Sequence, residues 1–270
     1  MNIVVCVKHV PDSQADRGFE PGDGTTDRAG VESRLSELDE YAVEEALKIV
    51  EAGGDAAGGQ VTVLTVGPEG AADAIKKALQ MGAAAGVLVT DEAIAGSDAI
   101  ATSLVIAEAV RKIGEAGPVD LVLTGMASTD GVMSVVPAMV AERLGLPQVT
   151  YASELTVEGG SGGTVTIRRD GDASTQVIRA ALPALVSVTD QINEPRYPSF
   201  KGIMSAKKKP VQTWSLADLG IDPSLVGLAA SWTSVETVTA APARTAGEVV
   251  KDEGDGGLKL AEYLVGHKYV

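Results

Sequence analysis

The sequence predicts an α/β protein built on a doubly wound, mostly parallel sheet, with an antiparallel extension and an extended C-terminal arm. Three observations lead to this prediction. Short runs of β-branched and aliphatic residues alternate with alanine-rich stretches over the first 145 residues, which is the rhythm of a parallel sheet covered on both faces. Glycine-rich turns then join three strand-like runs. From residue 210 the chain loses clear periodicity.

Alternating strands and helices account for the first part of this fold. The predicted strands are rich in Val, Ile and Leu and fall at residues 3–7, 61–66, 87–90 and 119–124. The predicted helices carry apolar residues at helical spacing and fall at residues 38–51, 71–81, 97–113 and 132–144. Ser97 is a candidate N-cap, and Gly145 ends the last helix of the series.

The rhythm changes after Pro147. Residues 149–157, 164–169 and 175–180 read as strands joined by glycine-rich turns, a pattern typical of antiparallel pairing. Residues 184–189 are expected to return to the main sheet.

The C-terminal part differs from the rest in composition. Residues 235–250 are rich in Thr, Ala and Pro and are expected to be extended, and residues 258–265 to form a short closing helix. We therefore divide the chain into an α/β domain, residues 1–227, and an arm, residues 228–270. The arm is expected to pack on a partner subunit, and a flexible tail is the alternative.

Composition excludes several classes of protein. The 22 Lys and Arg residues against 37 Asp and Glu residues give a net charge of −15, which argues against a general nucleic-acid binder because such a protein needs a basic surface. A single cysteine rules out an internal disulfide framework and fits a reducing compartment. Neither a signal peptide nor an apolar run of the roughly 20 residues that span a bilayer is visible, so a cytoplasmic protein is expected.

The sequence GMASTDG at residues 125–131 follows the fourth predicted strand. Its two glycines allow the backbone close to a ligand, and Ser128, Thr129 and Asp130 offer short polar side chains. With a helix starting at Val132, free N–H groups and a positive helix end would face the loop. The pattern predicts a cradle for one phosphate, and an ordinary capped strand-to-helix turn is the alternative that spacing leaves open.

The segment NEPRYPSFKGIMSAKKK, residues 193–209, combines prolines, aromatic residues, apolar residues and a lysine run. Pro195 and Pro198 keep its first half out of a helix, whereas the second half can turn helical. An exposed, stiffened segment with apolar side chains predicts a protein-docking surface, and packing onto its own domain is the alternative. The lysines at 207–209 form either a solvated face or a patch that steers an acidic partner.

Five motifs, spread in order along the chain, resemble those of the beta subunit of electron transfer flavoproteins. They are VVCVKHVPD at residues 4–12, LDEYAVEEAL at 38–47, GMASTDG followed by AERLGLPQVT at 125–150, the segment 193–209, and RTAG at 244–247. Their order and spacing cover nearly all 270 residues, which makes the resemblance specific. It implies a sheet of the adenine nucleotide alpha hydrolase type and an electron carrier rather than an enzyme.

The resemblance also implies an AMP site. Backbone groups of Cys6 and Val66 would read the adenine edge, and loop N–H groups with Thr129 and Ser134 would hold the phosphate. The implied AMP-binding residues are Cys6, Ser36, Glu37, Leu38, Asp39, Val66, Gly125, Met126, Ala127, Ser128, Thr129, Asp130, Gly131, Val132, Met133, Ser134, Val135 and Val136. Many relatives have a Gln-x-Gly pair late in the loop, where this chain has Val-Val-Pro, so phosphate contacts there are expected to differ.

The same resemblance implies that the redox FAD sits mainly on an alpha subunit and that the beta subunit shields it near Ser13 and Leu38. These residues are small and aliphatic, so no ring stacking on the flavin is expected. Leu38 packs either on the flavin edge or in its own core. Cys6 is interpreted as a buried apolar side chain, and His9 and His267 as structural, because neither has partners at metal-ligand spacing. The sequence offers no catalytic set.

Partners also follow from the resemblance. The implied docking residues are Glu194, Tyr197, Phe200, Ile203 and Met204. Phe200 is the implied apolar anchor and stands where relatives often have Leu. The implied partners are the alpha subunit, acyl-CoA and related dehydrogenases of fatty acid β-oxidation as donors, and a flavoprotein-quinone oxidoreductase that leads to the respiratory chain. Neither nucleic-acid binding nor direct membrane insertion is expected.

Three other functions are alternatives to this one. A bifurcating relative would hold a second FAD in the AMP pocket. A stand-alone adenine-nucleotide module would explain the first 145 residues but neither the docking segment nor the arm. An enzyme of the nucleotide alpha-hydrolase kind would need a phosphate-activating motif after the first strand, and KHVPD at residues 8–12 does not supply one.

Overall fold

A computed structural model describes residues 1–53, 59–243, 247 and 249–270 of the protein. These residues group into two units, Met1–Glu236 and Thr237–Val270. In chain order the strands are β1 Asn2–Cys6, β2 His9–Pro11, β3 Ser33–Leu35, β4 Gln60–Val66, β5 Ala85–Val89, β6 Leu121–Gly125, β7 Gln148–Ala152, β8 Glu154–Glu158, β9 Thr164–Asp170, β10 Thr175–Ala181, β11 Ala184–Val188 and β12 Val211–Trp214. The helices are α1 Glu37–Ala52, α2 Ala72–Met81, α3 Ala99–Glu115, α4 Val136–Leu144, α5 Phe200–Ala206 and α6 Gly256–Gly266.

Within the described residues, a parallel sheet of seven strands forms the centre of the first unit, in the order β12-β5-β4-β1-β6-β11-β7. Every neighbouring pair in it is parallel. β1 is central because it pairs with β4 on one side and with β6 on the other. The predicted doubly wound, mostly parallel sheet is confirmed.

Helices cover both faces of this sheet. α1 and α2 pack on the face that carries Val5 of β1, whereas α3 and α4 pack on the face that carries Val4. The direction of winding therefore reverses between β1 and β6. In open α/β sheets, ligands bind outside the C-terminal ends of the strands at such a reversal.

The predicted antiparallel extension is confirmed as the sheet β10-β9-β8. One predicted strand, residues 149–157, is wrong because the chain divides it between two sheets. β7 belongs to the central sheet and β8 to the extension. The division falls at Ser153, whose N–H donates to the carbonyl oxygen of Arg168 in β9 at 2.9 Å. β11 returns to the central sheet between β6 and β7, as predicted.

Three further regions differ from the prediction. β12 pairs with β5 at the edge of the central sheet, where the sequence showed no periodicity. β2 and β3 form a short antiparallel ribbon, and the segment 12–32 runs between them. α4 begins at Val136 rather than at residue 132, because Val132 and Ser134 have positive φ angles.

The second unit contains the predicted closing helix, which is confirmed as α6. At its end the rings of Tyr263, His267 and Tyr269 pack together, with centroids of neighbouring rings 4.2 Å and 5.7 Å apart. Residues 244–246 of the RTAG motif lie outside the described residues. The docking of the arm on a partner stays a prediction. No helix in the described part of the chain is long and apolar enough to cross a membrane.

Candidate functional site

The C-terminal edge of the central sheet brings together the predicted strand-end residues. Cys6, Val66 and Gly125 end the three adjacent strands β1, β4 and β6. Cys6 is in register with Leu64 on one side and with Thr124 on the other. These strand ends therefore lie side by side at the point where the winding reverses.

Asp39 joins the start of α1 to this edge. A Cβ atom on Gly125 would lie 2.6 Å from Asp39 Oδ1 and 2.8 Å from the Leu38 carbonyl oxygen, so the close approach requires glycine. Asp39 Oδ2 accepts the backbone N–H of Lys8 at 2.8 Å. Burial raises the pKa of Asp39 to about 7, although hydrogen bonds from the Lys8 and Gly125 N–H groups and the Lys8 charge oppose the rise. Asp39 thus connects the start of α1 to the residues at the ends of β1 and β6, and the role of residues 36–39 in binding stays a prediction.

The loop between β6 and α4 is strained. Val132 has a φ of 51° and Ser134 a φ of 58°. A positive φ is an outlier for a β-branched residue, and such strain clusters at binding sites. Val135 is right-handed, with φ −97° and ψ −22°. A left-handed residue followed by a right-handed one turns successive N–H groups towards one point, which makes an anion-binding concavity.

Three N–H groups of the loop before α4 have no acceptor in the described part of the chain. Those of Met133, Ser134 and Val135 donate to no oxygen of the described residues, and the first turn of α4 adds further N–H groups without helical partners. The loop that is predicted to hold a phosphate is therefore a strained turn followed by a helix start, and phosphate binding stays a prediction. The helix start at Val132, on which the prediction relied, is wrong.

Asp130 fixes the middle of the loop. Its carboxylate lies 2.9 Å from Lys8 Nζ and 2.8 Å from Arg28 Nη2, and only 3% of its side chain is exposed. Although burial favours the neutral acid, Lys8 and the hydrogen bonds from Lys8, Ser128 and Arg28 hold the pKa of Asp130 well below its usual range. Arg17 Nη1 also donates to the Thr129 carbonyl oxygen at 2.9 Å.

Sequence reasoning missed Lys8, Arg17 and Arg28. Lys8 lies only two residues beyond Cys6, so its position after a strand end was a usable signal. Arg17 and Arg28 lie in the segment 12–32, which shows no periodicity, and nothing in the sequence linked them to residues a hundred positions away.

Three buried hydroxyl groups at this edge have no partner among the described residues. They are Ser36 Oγ, Thr65 Oγ1 and Thr124 Oγ1, and their residues are 0%, 1% and 7% exposed. Thr65 and Thr124 directly precede the strand-end residues Val66 and Gly125. Buried polar groups are normally hydrogen-bonded, so these hydroxyls fit a site that receives a polar ligand such as a nucleotide.

Cys6 contributes no thiolate to this site. Burial, and secondarily the charge of Asp39, raises the pKa of the Cys6 thiol to about 12, so the thiol is protonated at neutral pH and is a weak nucleophile. Burial also lowers the pKa of His9. Among the described residues, no three His, Cys, Asp or Glu side chains form a group that could hold a metal ion.

The predicted docking residues lie on and before α5. Ser199 caps this helix by accepting the N–H of Gly202 at 3.0 Å. Tyr197 is 92% exposed and Phe200 81% exposed. Ile203, Met204 and Glu194 are also exposed.

α5 is mounted closely on α2. A Cβ atom on Gly202 would lie 2.5 Å from the Gln80 carbonyl oxygen, and Ala206 is buried beside the same helix. Lys209 Nζ donates to the Leu79 carbonyl oxygen at 2.8 Å, near the C-terminal end of α2. Lys209 is therefore half-buried and part of the packing, whereas Lys207 and Lys208 are exposed. The steering of an acidic partner by these lysines stays a prediction.

Comparison with known proteins gives a consistent result. The family model described as "Electron transfer flavoprotein domain" matches residues 23–219. The "Electron transfer flavoprotein subunit beta" of Mycobacterium leprae is 48% identical over 270 residues, which are 100% of this chain and 99% of that protein. The protein of the same name from Megasphaera elsdenii is 34% identical over 98% of this chain and 97% of its own length. "Protein FixA" of Azorhizobium caulinodans is 40% identical over 90% of this chain and 86% of its own.

Proposed function

The chain belongs to the electron transfer flavoprotein family, as a member of its beta-subunit branch, and on this premise we propose a specific role for it. It pairs with an alpha subunit that carries FAD, accepts electrons from dehydrogenases such as acyl-CoA dehydrogenases, and passes them towards the respiratory chain through a flavoprotein-quinone oxidoreductase. It holds AMP as a structural ligand at the C-terminal edge of the central sheet. The bound flavin supplies the redox chemistry, and this chain positions and shields the flavin and provides the surface on which the dehydrogenase docks.

The strained loop before α4 is the observation that carries the AMP proposal. The N–H groups of Met133, Ser134 and Val135 have no partner among the described residues, and they directly precede a helix start, which attracts a phosphate. The concavity exists only because Val132 and Ser134 take positive φ angles, a conformation that costs about 1–3 kcal/mol per residue unless its surroundings stabilise it. A bound phosphate would offset that cost.

The remainder of a nucleoside monophosphate has matching partners. The strand ends at Cys6 and Val66 would present backbone groups to the adenine edge, and the unpaired hydroxyls of Ser36, Thr65 and Thr124 suit polar atoms of a nucleotide. Lys8 adds a cation beside the loop. Ser13 and Leu38, which would face the flavin of the alpha subunit, are both half-buried. They would exclude water from the flavin without stacking on its ring.

The dehydrogenase would dock on α5. Phe200 and Tyr197 are largely exposed on a helix that is packed tightly against α2, and an exposed aromatic side chain on a rigid support is a common interface anchor. Burying the Phe200 ring in a partner pocket would contribute roughly 2 kcal/mol. The exposed lysines beside it would guide an acidic partner.

The first test is the composition of the purified complex. This chain is co-expressed with its candidate alpha subunit, the absorption spectrum is recorded, and the nucleotides released on denaturation are identified and counted. About one FAD and one AMP per heterodimer supports the proposal. Two FAD molecules would identify a bifurcating flavoprotein instead. A colourless chain that does not bind the alpha subunit would reject the proposal and support a stand-alone adenine-nucleotide module instead.

The second test concerns docking. Phe200→Ala should lower kcat/KM for reduction of the heterodimer by an acyl-CoA dehydrogenase about 10- to 100-fold, since 1.4 kcal/mol corresponds to a factor of ten. FAD content and thermal stability should stay unchanged. Phe19→Ala is the matched control, because Phe19 is the chain's other phenylalanine and is 50% exposed elsewhere on the first unit. Equal kinetics for the two variants would reject Phe200 as the anchor.

A further inference from the structure

An arginine binds the start of the docking segment, residues 193–209, to α1. Arg196 Nε donates to Glu44 Oε2 at 2.7 Å, and Nη2 donates to Glu44 Oε1 at 3.0 Å. Nη1 and Nη2 also donate to the two carboxylate oxygens of Glu51, at 2.6 Å and 2.9 Å. The backbone N–H of Arg196 adds a bond to Glu44 Oε2 at 3.2 Å. One guanidinium thus binds two carboxylates on the same helix, which lie about two turns apart.

This arrangement is partly sheltered from water. Glu44 is 6% exposed as a residue, and 34% of the Arg196 side chain is exposed. Hydrogen bonds from Arg196 lower the pKa of Glu51, so this carboxylate remains an ionised partner at neutral pH. A second tie lies beside the first, because Asn193 Nδ2 donates to the Tyr41 carbonyl oxygen at 3.1 Å and to Glu45 Oε2 at 3.0 Å.

Little donor capacity of Arg196 is left for another protein. The guanidinium has five N–H groups, and four donations go to the two glutamates of its own chain. The next residue, Tyr197, is 92% exposed, so a residue held by α1 is followed directly by an exposed aromatic side chain. Pro195 and Pro198 flank this step and restrict its backbone further.

Resting on the proposed docking function, we propose that Arg196 is a positioning residue: by gripping Glu44 and Glu51 it holds residues 197–206 in one place on the first unit, ready for the dehydrogenase. A segment that is already in its bound position loses less conformational freedom on docking, which raises affinity without a new contact. The guanidinium suits this role because its planar fork fixes direction as well as charge.

The planar fork makes a sharp test possible. Arg196→Lys keeps the charge but loses the two-sided grip, so positioning predicts that it behaves like Arg196→Ala, whereas simple charge steering predicts that it behaves like the wild type. Arg179→Ala is the charge-matched control, because Arg179 pairs with Glu158 on the antiparallel extension and both side chains are more than 60% exposed.

The first measurement is amide hydrogen exchange of residues 197–206 in the purified heterodimer, without any dehydrogenase. Exchange there should accelerate at least fivefold in Arg196→Ala and Arg196→Lys, and should stay unchanged in Arg179→Ala. Unchanged exchange in the Arg196 variants would overturn the proposal. This readout is independent of electron transfer, so it decides the positioning role even if no dehydrogenase reduces the wild-type complex, a result that would reject the proposed function by itself.

The second measurement separates positioning from direct contact. With an acyl-CoA dehydrogenase as donor, Arg196→Ala should raise the KM for the flavoprotein about 5- to 20-fold and leave kcat and FAD content within twofold. In a Glu44→Gln, Glu51→Gln background the grip is already weakened, so Arg196→Ala should then change KM less than twofold. An equal effect of Arg196→Ala in both backgrounds would mean that Arg196 touches the dehydrogenase itself, and would overturn the proposal.

Discussion

Gly125→Ala is the most direct perturbation of the candidate nucleotide site. The added Cβ atom would lie 2.6 Å from Asp39 Oδ1 and 2.8 Å from the Leu38 carbonyl oxygen, whereas ordinary contacts of this kind exceed about 3.4 Å. The end of β6 and the start of α1 must therefore separate by several tenths of an ångström. Overpacking of this kind costs about 1–3 kcal/mol.

Both stability and nucleotide content should respond. For a protein of this size, 1 kcal/mol corresponds to a shift of roughly 2–4 °C in Tm, so Gly125→Ala should lower the Tm of the heterodimer by roughly 2–12 °C. The AMP released on denaturation should fall well below one per heterodimer. Gly131→Ala is the matched control in the same loop, because its Cβ would meet only Ser128 Oγ at 3.6 Å, and it should change Tm by less than about 2 °C.

The assay is differential scanning calorimetry of both variants with and without added AMP, followed by nucleotide counting. A ligand that binds only the folded protein raises its stability with concentration, so added AMP should raise the Tm of the wild-type heterodimer more than that of Gly125→Ala. If the two variants have the same Tm, the close contact between Gly125 and α1 is refuted. If Gly125→Ala loses stability but keeps full AMP, the contact stands and the nucleotide lies elsewhere.

Three further predictions concern charge and packing. Asp130→Asn should lower the free energy of unfolding by about 1–3 kcal/mol at pH 7, because Lys8 and Arg28 lose their shared carboxylate. Since the folded-state pKa of Asp130 is depressed, this loss of stability should shrink as the pH falls below about 4. An equal loss at pH 7 and pH 3, measured by urea unfolding, would contradict the prediction. Burial raises the folded-state pKa of Asp39 to about 7, so between about pH 4 and pH 7 the folded protein holds a proton that the unfolded chain has lost. The free energy of unfolding should therefore decrease as the pH rises through this range. Asp39→Asn should make this decrease smaller in urea titrations, and an unaltered decrease would argue against the prediction. Gly202→Ala should displace α5, because its Cβ would lie 2.5 Å from the backbone of α2. It should weaken dehydrogenase docking about tenfold at constant FAD content. Stopped-flow reduction kinetics equal to those of the wild type would contradict this prediction.

Local periodicity predicted the alternating part of the fold because each strand and helix there buries one continuous face. The pattern failed at Ser153, since residues on both sides of it are strand-forming and only the tertiary pairing with β9 and β11 divides them. It also failed for β12, four residues long, whose strand structure depends on pairing with β5. Short elements that owe their structure to distant partners carry little signal of their own.

The candidate site was predictable in outline and not in detail. The glycines at 125 and 131 marked the loop, but positive φ at Val132 and Ser134 runs against the propensity of those residues, so sequence reasoning began the helix four residues early. The salt bridge from Arg28 to Asp130 joins residues about a hundred positions apart, and although Asp130 stands in the GMASTDG motif, Arg28 stands in none. Arg196 stood in a recognised segment, yet its grip on Glu44 and Glu51 depends on how that segment crosses α1.

The strand order of the central sheet has a consequence for how the protein is made. β11 lies between β6 and β7 in space, yet it follows both in the chain. During translation β7 therefore emerges with no neighbour to pair with, and it waits while the three antiparallel strands of the extension are made. At roughly 5–20 residues per second, that delay lasts seconds. The hairpins of the extension can form locally in this interval, and the far edge of the main sheet closes only when the ribosome has released β11.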